Sequence, residues 1–306
     1  HMEKKGKIVT VVGTNASGKS DLAVYLAKKY NGEIISADSR QIYRGYDLGT
    51  GKLSKAEMQG VVHHMIDILD SNELFSVADF QARAYACIDD ILRRGKLPII
   101  AGGTGLYVRS VVKGYTFVKM EPDLELREEL EKKTTEELYA QLAEIDEQAA
   151  KRNTKENRRR IIRALEKYHV LGKEALQDHY EPRYEALQLG VTWPNAILHE
   201  RIDVRMKKRF DEGMIEEVKG LMEQGATGAF MEALGLEYRH IYYYLSGRYQ
   251  SKEELYTELS RAIKRFAKQQ KTWFRKDHDI IWLDMEQDYK AQAEAQIEAF
   301  LHDSDK

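Results

Sequence analysis

The stretch GTNASGKS, Gly13 to Ser20, has the spacing G-x-x-x-x-G-K-[ST]. In that spacing backbone N–H groups wrap a phosphate, the lysine neutralises it, and the terminal hydroxyl reaches a magnesium ion. The flanks restrict the fold. KIVTVV before it is a short β-branched run, and SDLAVYLAKKY after it carries Leu22, Ala23, Leu26 and Ala27 at helical spacing. A strand, a tight loop and a helix in that order bring the phosphate to a helix N-terminus. Gly13, Thr14, Asn15, Ala16, Ser17, Gly18, Lys19 and Ser20 are therefore the candidate phosphate cradle, with Ser20 the candidate metal ligand.

The alternation continues. After the cradle helix come the strand-like GEIISAD, the long helical SVADFQARAYACIDDILRRG and the strand-like LPIIAGG. Such alternation predicts a parallel sheet covered by helices, with ligands bound beyond the strand C-termini. From residue 119 the strand signal stops and charged helical sequence runs to 184, as in DLELREELEKKTTEELYAQLAEI and KENRRRIIRALEKYHVLG. LQLGVTW then reads as a strand, followed by two long helices, the first broken near Gly213, and by a last short strand in DIIWLD. The expected fold is thus α/β, a P-loop NTPase-like parallel sheet flanked by helices, with an α-helical insertion domain. Residues 1–118 and 185–306 form the core in this reading, and 119–184 the insertion.

Composition narrows the chemistry. The chain has 306 residues, 42% of them hydrophobic, which is enough for one large core or two smaller ones. Cys87 is the single cysteine, so neither an internal disulfide nor a multi-cysteine zinc site is open to the chain, and a small buried hydrophobe is its expected role. No window approaches a membrane span in length and no signal peptide is visible; the expected location is cytoplasmic, with no membrane partner. Net charge is −2, but basic residues cluster at Arg158, Arg159, Arg160 and Arg163, and again from Lys264 to Lys276. Such clusters are either solvated helix faces or a nucleic-acid footprint.

Three polar signals fall at the expected ligand edge. The cradle is one. Asp38 follows the second strand, with Ser39, Arg40, Gln41 and a Gly-rich GTGK turn close behind. A carboxylate there caps a helix, binds a metal through water or accepts a proton from a nucleophile. Thr104, among Gly102, Gly103 and Gly105, is either a helix cap or a donor to a leaving oxygen. Arg201, Arg205 and Arg209 repeat every four residues and so share one helix face. His63 and His64 are adjacent, which suits packing or hydrogen bonding better than a metal. In RFAKQQKTWFRK, aromatic residues at core spacing alternate with lysine and arginine.

Together these stretches resemble the bacterial tRNA dimethylallyltransferases. The matching segments are GTNASGKS, ADSRQIYRGYDLGTGK, HHMIDI, LPIIAGGTGLYVRSVVKG, RRRIIRALEKY and RFAKQQKTWFR, in family order over nearly the whole chain. The resemblance implies transfer of a dimethylallyl group from dimethylallyl diphosphate to the exocyclic amine of the adenosine 3′ of the anticodon, with magnesium as cofactor. It implies that Lys19, Ser20 with the metal, and Thr104 stabilise the departing diphosphate, and that Asp38 takes the proton. Arg201 and Arg205 match the family's stretch of diphosphate contacts; Arg209 follows from periodicity. Asp38, Ser39, Arg40, Gln41 and Thr104 would touch the target base or its neighbours. Arg159, Arg160, Ile161, Ile162 and Arg163 would contact the anticodon arm of the tRNA, with Arg127 a further candidate. A monomer is expected.

The chain departs from the family pattern at LGLEY, Leu234 to Tyr238, where isoleucine-glycine-tyrosine-lysine-glutamate is usual, and around Ile263-Lys264 and Lys268-Gln269-Gln270. Competing readings are a small-molecule kinase with the insertion as its lid, a prenyltransferase acting on free adenine nucleotides, and an RNA-binding protein with a vestigial nucleotide site. The long basic insertion favours tRNA over the first two, and intact Lys19, Ser20, Asp38 and Thr104 argue against the third.

Overall fold

A computed structural model of the chain describes residues 3–117, 120, 121, 123–153, 157–177 and 179–303. The chain divides into two compact units, one formed by His1–Val112 with Pro182–Lys306, the other by Lys113–Glu181. In the first unit, in chain order, lie β1 (Lys7–Gly13), α1 (Lys19–Lys29), β2 (Gly32–Ser36), α2 (Lys55–Met58), β3 (His63–His64), α3 (Val77–Arg93), β4 (Leu97–Gly102) and α4 (Gly105–Val112). The second unit holds α5 (Leu124–Glu131), α6 (Thr135–Ile145), α7 (Glu147–Arg152) and α8 (Arg158–Leu171). The first unit resumes with β5 (Glu185–Val191), α9 (Asn195–Asp211), α10 (Met214–Glu223), α11 (Gly228–Leu234), α12 (Leu236–Leu245), α13 (Lys252–Arg275), β6 (Ile280–Trp282) and α14 (Tyr289–His302).

The six strands make one sheet in the order β3-β2-β4-β1-β5-β6, every pair parallel. Central strands of such a sheet are covered on both faces, and β1 accordingly has Ile8, Val9, Val11 and Val12 all buried rather than alternating. One face is covered by α1 and α14, with Leu22 and Leu26 against Ala293 and Ile297. The other carries the larger core. There α3 presents Phe80, Ala84, Ile88 and Ile91 as one stripe, its N-terminus fixed by a capping box between Ser76 and Asp79. Phe80 stacks on Tyr107 of α4 with ring centroids 4.3 Å apart. Each such fully buried side chain contributes about 1.5–3 kcal/mol of transfer free energy.

Strand order reverses around β1: the chain leaves it toward β2 and β3 on one side and later adds β5 and β6 on the other. Ligands in open parallel sheets bind outside the strand C-termini at such a reversal. The ends of β2 and β4 are zipped together there, since Ala37 N–H donates to the Ala101 carbonyl (2.8 Å) and Thr104 N–H to the Ala37 carbonyl (3.1 Å). Gly102 is what permits this approach.

Several elements lie outside the sequence reading, among them α2, β3, α11, α12 and α14. β3 has only two residues, too short for a periodic signal; its His64 Nε2 lies 2.8 Å from Glu33 Oε1, the hydrogen-bonding role expected of that histidine. α14 buries only Ala293 and Ile297 in a run of alanine and charged residues, so its apolar stripe is thin. Cys87 is half-buried on α3, packed against the core, and burial raises its thiol pKa. No helix among the described residues is long and apolar enough to cross a membrane.

The helical unit has its own core, built from Leu130, Leu138, Leu142, Ile161, Ile162 and Leu165. An antiparallel bridge between Tyr115 and Tyr180 joins its two ends, so the unit spans 113–181 where the sequence suggests 119–184.

The zipped strand ends give the first prediction. A Cβ added at Gly102 collides with the Ala37 carbonyl, and backbone cannot yield as a flexible side chain would. Gly102→Ala is expected to cost more than about 2 kcal/mol, read as a lower urea midpoint with unchanged m-value.

Candidate active site

The phosphate loop runs from the end of β1 to the start of α1 and bends through left-handed conformations at Ala16 (φ 57°) and Gly18 (φ 91°). It is held from behind. Trp193 Nε1 donates to the Ser17 carbonyl (3.0 Å), Arg201 Nε to the Ala16 carbonyl (2.7 Å), and Asn15 N–H to Gln270 Oε1 (3.2 Å). Gln270 Nε2 reaches the Gly103 carbonyl at 3.4 Å, so this side chain of α13 links the loops after β1 and β4. Arg201 also lies over the Trp193 ring at 4.6 Å. Inside the loop, Lys19 Nζ donates to the Thr14 carbonyl (3.1 Å), and the Ser17 hydroxyl is buried without a hydrogen-bond partner among the described residues. Thr14 shares a hydrogen bond with Thr192 across β1 and β5.

Asp38 stands one residue past the paired end of β2. Its Oδ1 accepts from the backbone N–H of Arg40 (2.8 Å) and of Gln41 (3.3 Å). This is an Asx-type turn rather than a helix cap. Its Oδ2 makes no hydrogen bond among the described residues. Thr104 Oγ1 accepts from Ser39 N–H (3.0 Å), leaving the hydroxyl proton uncommitted. Gln41 is spent internally, accepting from Ser36 Oγ and donating to the Thr50 carbonyl.

A cavity of about 540 Å³ opens between these loops and α9. Its wall includes Asn15, Ala16, Gly18, Lys19 and Ser20 of the phosphate loop, Asp38, Arg40 and Gln41, the Thr50–Lys52 turn, and Arg201, Arg205 and Arg209. Thr104 lies beside this wall, not in it; the neighbouring Gly103 is close to Lys19, since a Cβ there would be 3.5 Å from Nζ. Arg205 and Arg209 both lie on Gly51, where a Cβ would collide with the guanidinium groups of both. Neither has an ion pair or hydrogen bond among the described residues.

Electrostatics follow from that crowding. Burial lowers the Lys19 pKa from 10.5 to about 7, helped by Arg205, Arg40 and Arg209 and opposed by Asp38. Burial and then Arg209 bring Arg205 to about 9, and burial also lowers Arg209. Arg40 differs. Burial works against its charge too, but Glu237 and Asp38 outweigh it and raise its pKa. Three neighbouring cations are thus disfavoured by burial and by one another, and a nearby anion would relieve all three.

The sequence-picked residues separate under this geometry. All eight loop residues, the three α9 arginines, Asp38 and Thr104 converge on one end of the sheet. Arg201 is partly committed to holding the loop. In the helical unit, Arg159 and Arg160 are exposed, with no ion pair among the described residues. Arg127 instead grips the fully buried Glu166 with two hydrogen bonds (2.7 and 3.1 Å), and Arg163 joins it at 3.4 Å. Ile161 and Ile162 correct the expectation that their side chains touch RNA: they are 0% and 5% exposed, because helical periodicity turns them into the unit's core. Lys271, one of the second basic cluster, is also inside, donating to the Trp193 carbonyl and Asn195 Oδ1.

Four supporting side chains carried no signal in sequence. Trp193 and Gln270 brace the phosphate loop. Glu217 of α10 accepts from the backbone N–H of Asp47 (2.9 Å), Leu48 (2.8 Å) and Gly49 (3.3 Å), and so shapes the Gly-rich turn. Glu237 pairs with Arg40. Single acids on charged helices are unremarkable until the loops they reach are known.

A parallel sheet whose first strand enters such a loop, faced by a carboxylate and by guanidinium groups without ion pairs among the described residues, belongs to the P-loop-like α/β class. Comparison with known proteins narrows the class. The chain belongs to the family described as IPP transferase, whose sequence model matches residues 41–277. The tRNA dimethylallyltransferase of Heliobacterium modesticaldum is 44% identical over 281 residues, covering 89% of this chain and 88% of that one. That of Caldanaerobacter subterraneus subsp. tengcongensis is 43% identical over 309 residues, covering 96% of each. Among solved structures, the full-length tRNA isopentenylpyrophosphate transferase of Bacillus halodurans superposes with a TM-score of 0.72 at 37% identity, covering 96% of this chain and 97% of that one. A eukaryotic dimethylallyltransferase acting on tRNA superposes with a TM-score of 0.82 at 26% identity, covering 97% and 80%.

The Lys19 shift has a measurable consequence. Its folded pKa of about 7 lies below the ordinary 10.5, so between these values the unfolded chain binds more protons and stability rises with pH. A bound diphosphate supplies the missing countercharge and returns the proton. Calorimetry with inorganic diphosphate at pH 8, in buffers of different ionisation enthalpy, is expected to show uptake of up to about one proton more by the protein than by Lys19→Met. Equal uptake by the two proteins means that Lys19 is already charged in the free site.

Proposed function

We propose that this chain transfers the dimethylallyl group of dimethylallyl diphosphate to the exocyclic amine of the adenosine 3′-adjacent to the anticodon in tRNA, releasing diphosphate. One observation carries the reading furthest. A phosphate cradle and two arginines that make no ion pair among the described residues share a single cavity with a carboxylate whose second oxygen accepts no hydrogen bond among them. A kinase needs the first half of that arrangement; transfer to a weakly nucleophilic amine needs both.

In the reaction the allylic C–O bond breaks as the N–C bond forms, so the reacting carbon gains positive character and the diphosphate oxygen gains negative charge. Lys19, Arg205 and Arg209 stabilise that oxygen and its neighbours, and they are in place before the charge develops. The Thr104 hydroxyl, with its oxygen already accepting from Ser39, has its proton available for the leaving oxygen. Asp38 Oδ2 accepts a hydrogen bond from the amine, aligns it and takes its proton. The Asx turn leaves Oδ1 committed and Oδ2 outward, which fixes the direction of approach. Ser20 fits the metal role assigned to it: it lines the cavity, and its hydroxyl makes no hydrogen bond among the described residues. Magnesium there would take Ser20 Oγ and diphosphate oxygens as ligands, and would supply charge neutralisation to the leaving group.

The adenosine must leave its stack to enter such a cavity, which a single-stranded loop permits at small cost. Arg159 and Arg160, exposed and without an ion pair among the described residues, are the candidates for phosphate contacts with the anticodon arm. Arg127 and Arg163 serve that surface by holding it together, since a buried Glu166 without them would be an uncompensated charge.

Two outcomes test this. With magnesium, unmodified tRNA and radiolabelled dimethylallyl diphosphate, label is expected in the RNA, falling by about 10²–10⁴ in Asp38→Ala and about 10²–10³ in Thr104→Ala. Transfer of a nucleotide γ-phosphate with no labelled RNA would make the kinase reading correct. The double variant Arg159→Ala, Arg160→Ala is expected to weaken tRNA binding, to flatten the slope of log affinity against log salt by roughly 1 to 2, and to leave the melting temperature unchanged.

A further inference from the structure

Arg40 follows Asp38 by two residues, and its position suggests a reader of the substrate base. Its contacts suggest otherwise. Arg40 Nη1 donates to Glu237 Oε2 at 2.8 Å, and Glu237 is only 4% exposed. On the other side, Arg40 Nε is 3.6 Å from Asp38 Oδ1, the same oxygen that accepts from the Arg40 N–H. The guanidinium thus bridges a buried acid on α12 and the inner oxygen of the proposed base.

The stretch that carries Glu237 is moulded to receive Arg40. Gly235 has φ +139°, a conformation side chains rarely adopt, and a Cβ there would be 2.8 Å from Arg40 Cδ. Tyr238, the next residue, donates its hydroxyl to Glu217 Oε2 at 2.9 Å, and Glu217 in turn gathers the amides of the Gly-rich turn.

We infer that Glu237 and Arg40 act as a positioning pair for Asp38: Glu237 draws the guanidinium inward, and the guanidinium holds Oδ1 so that Oδ2 faces the incoming amine. The pair has a second effect. Glu237 keeps the Arg40 charge balanced, so that Lys19, Arg205 and Arg209 hold the diphosphate without it. The inference rests on the proposed transfer reaction, but one of its consequences is read without turnover.

The test compares Glu237→Gln, Arg40→Gln and the double variant in single-turnover transfer, in KM for tRNA, and in calorimetric binding of inorganic diphosphate. Each single variant is expected to slow transfer by about 10- to 100-fold with KM for tRNA unchanged. The double is expected to be no slower than the slower single, as for groups acting as one unit. Glu237→Gln alone should bind diphosphate more tightly, by about 3- to 10-fold, because it releases a cation beside the anion site. If Arg40→Gln raises KM for tRNA and leaves the saturated rate intact, Arg40 reads RNA and the pairing role is wrong; additive rate losses overturn it equally. Should Glu237→Gln not fold, the rate and KM of Arg40→Gln alone distinguish positioning from reading. If the wild type transfers no prenyl group, the reaction is wrong; diphosphate binding that tightens in Glu237→Gln and relaxes in the double still supports the balancing role, and unchanged binding overturns it.

Discussion

The parallel register of β1, β2 and β4 is the constraint on which the site depends. These strands end at one level, and their last residues are bonded to one another directly, Ala37 to Ala101 and Thr104 back to Ala37. Because strand spacing in a sheet is fixed at just under 5 Å, the phosphate loop, the Asp38 turn and the Thr104 loop emerge as near neighbours without any loop having to find another. Rigidity here comes from backbone hydrogen bonds and buried aliphatic side chains. The side chains that do chemistry are thereby freed from holding the fold.

What three of those side chains lack is an ion pair among the described residues. Lys19, Arg205 and Arg209 are partly desolvated close together, and the lowered pKa values express work done against solvation and mutual repulsion. Folding energy elsewhere sustains that arrangement, as is common where a site is preorganised. The return comes when an anion arrives: its charge is neutralised by groups that need not reorganise. The same residues placed on a mobile surface helix would be fully hydrated, with ordinary pKa values and little selectivity.

The sheet, its helical cover and the helical insertion were legible in sequence, because alternating β-branched runs and 3.6-residue stripes are local signals. That the cradle, Asp38, Thr104 and the arginines of α9 would gather at one end of the sheet was legible too, because spacing and position after a strand are local signals. Among the elements that were not are α11, α12, β3, which is two residues long, and α14, which has two buried side chains. Nor were Trp193, Gln270, Glu217 and Glu237: each acts across more than 160 positions of sequence on a loop backbone or on Arg40, and periodicity within one helix carries no information about such a partner.

Basic clusters show the same limit most sharply. In sequence, Arg127, Arg159, Arg160 and Arg163 are equivalent cations on charged helices, as are Lys264 and Lys271. In the fold, Arg127 and Arg163 neutralise Glu166, Lys264 pairs with Asp203, and Lys271 caps carbonyl and amide oxygens inside the protein. Arg159 and Arg160 keep their charge for solvent or a ligand. Helix spacing accounts for Arg163, three residues before Glu166, whereas Arg127, Lys264 and Lys271 meet partners on other elements that their own helices do not reveal. A cation count therefore sets only an upper bound on the charge a surface presents to a polyanion, and the acids buried beneath it set how much of that charge remains.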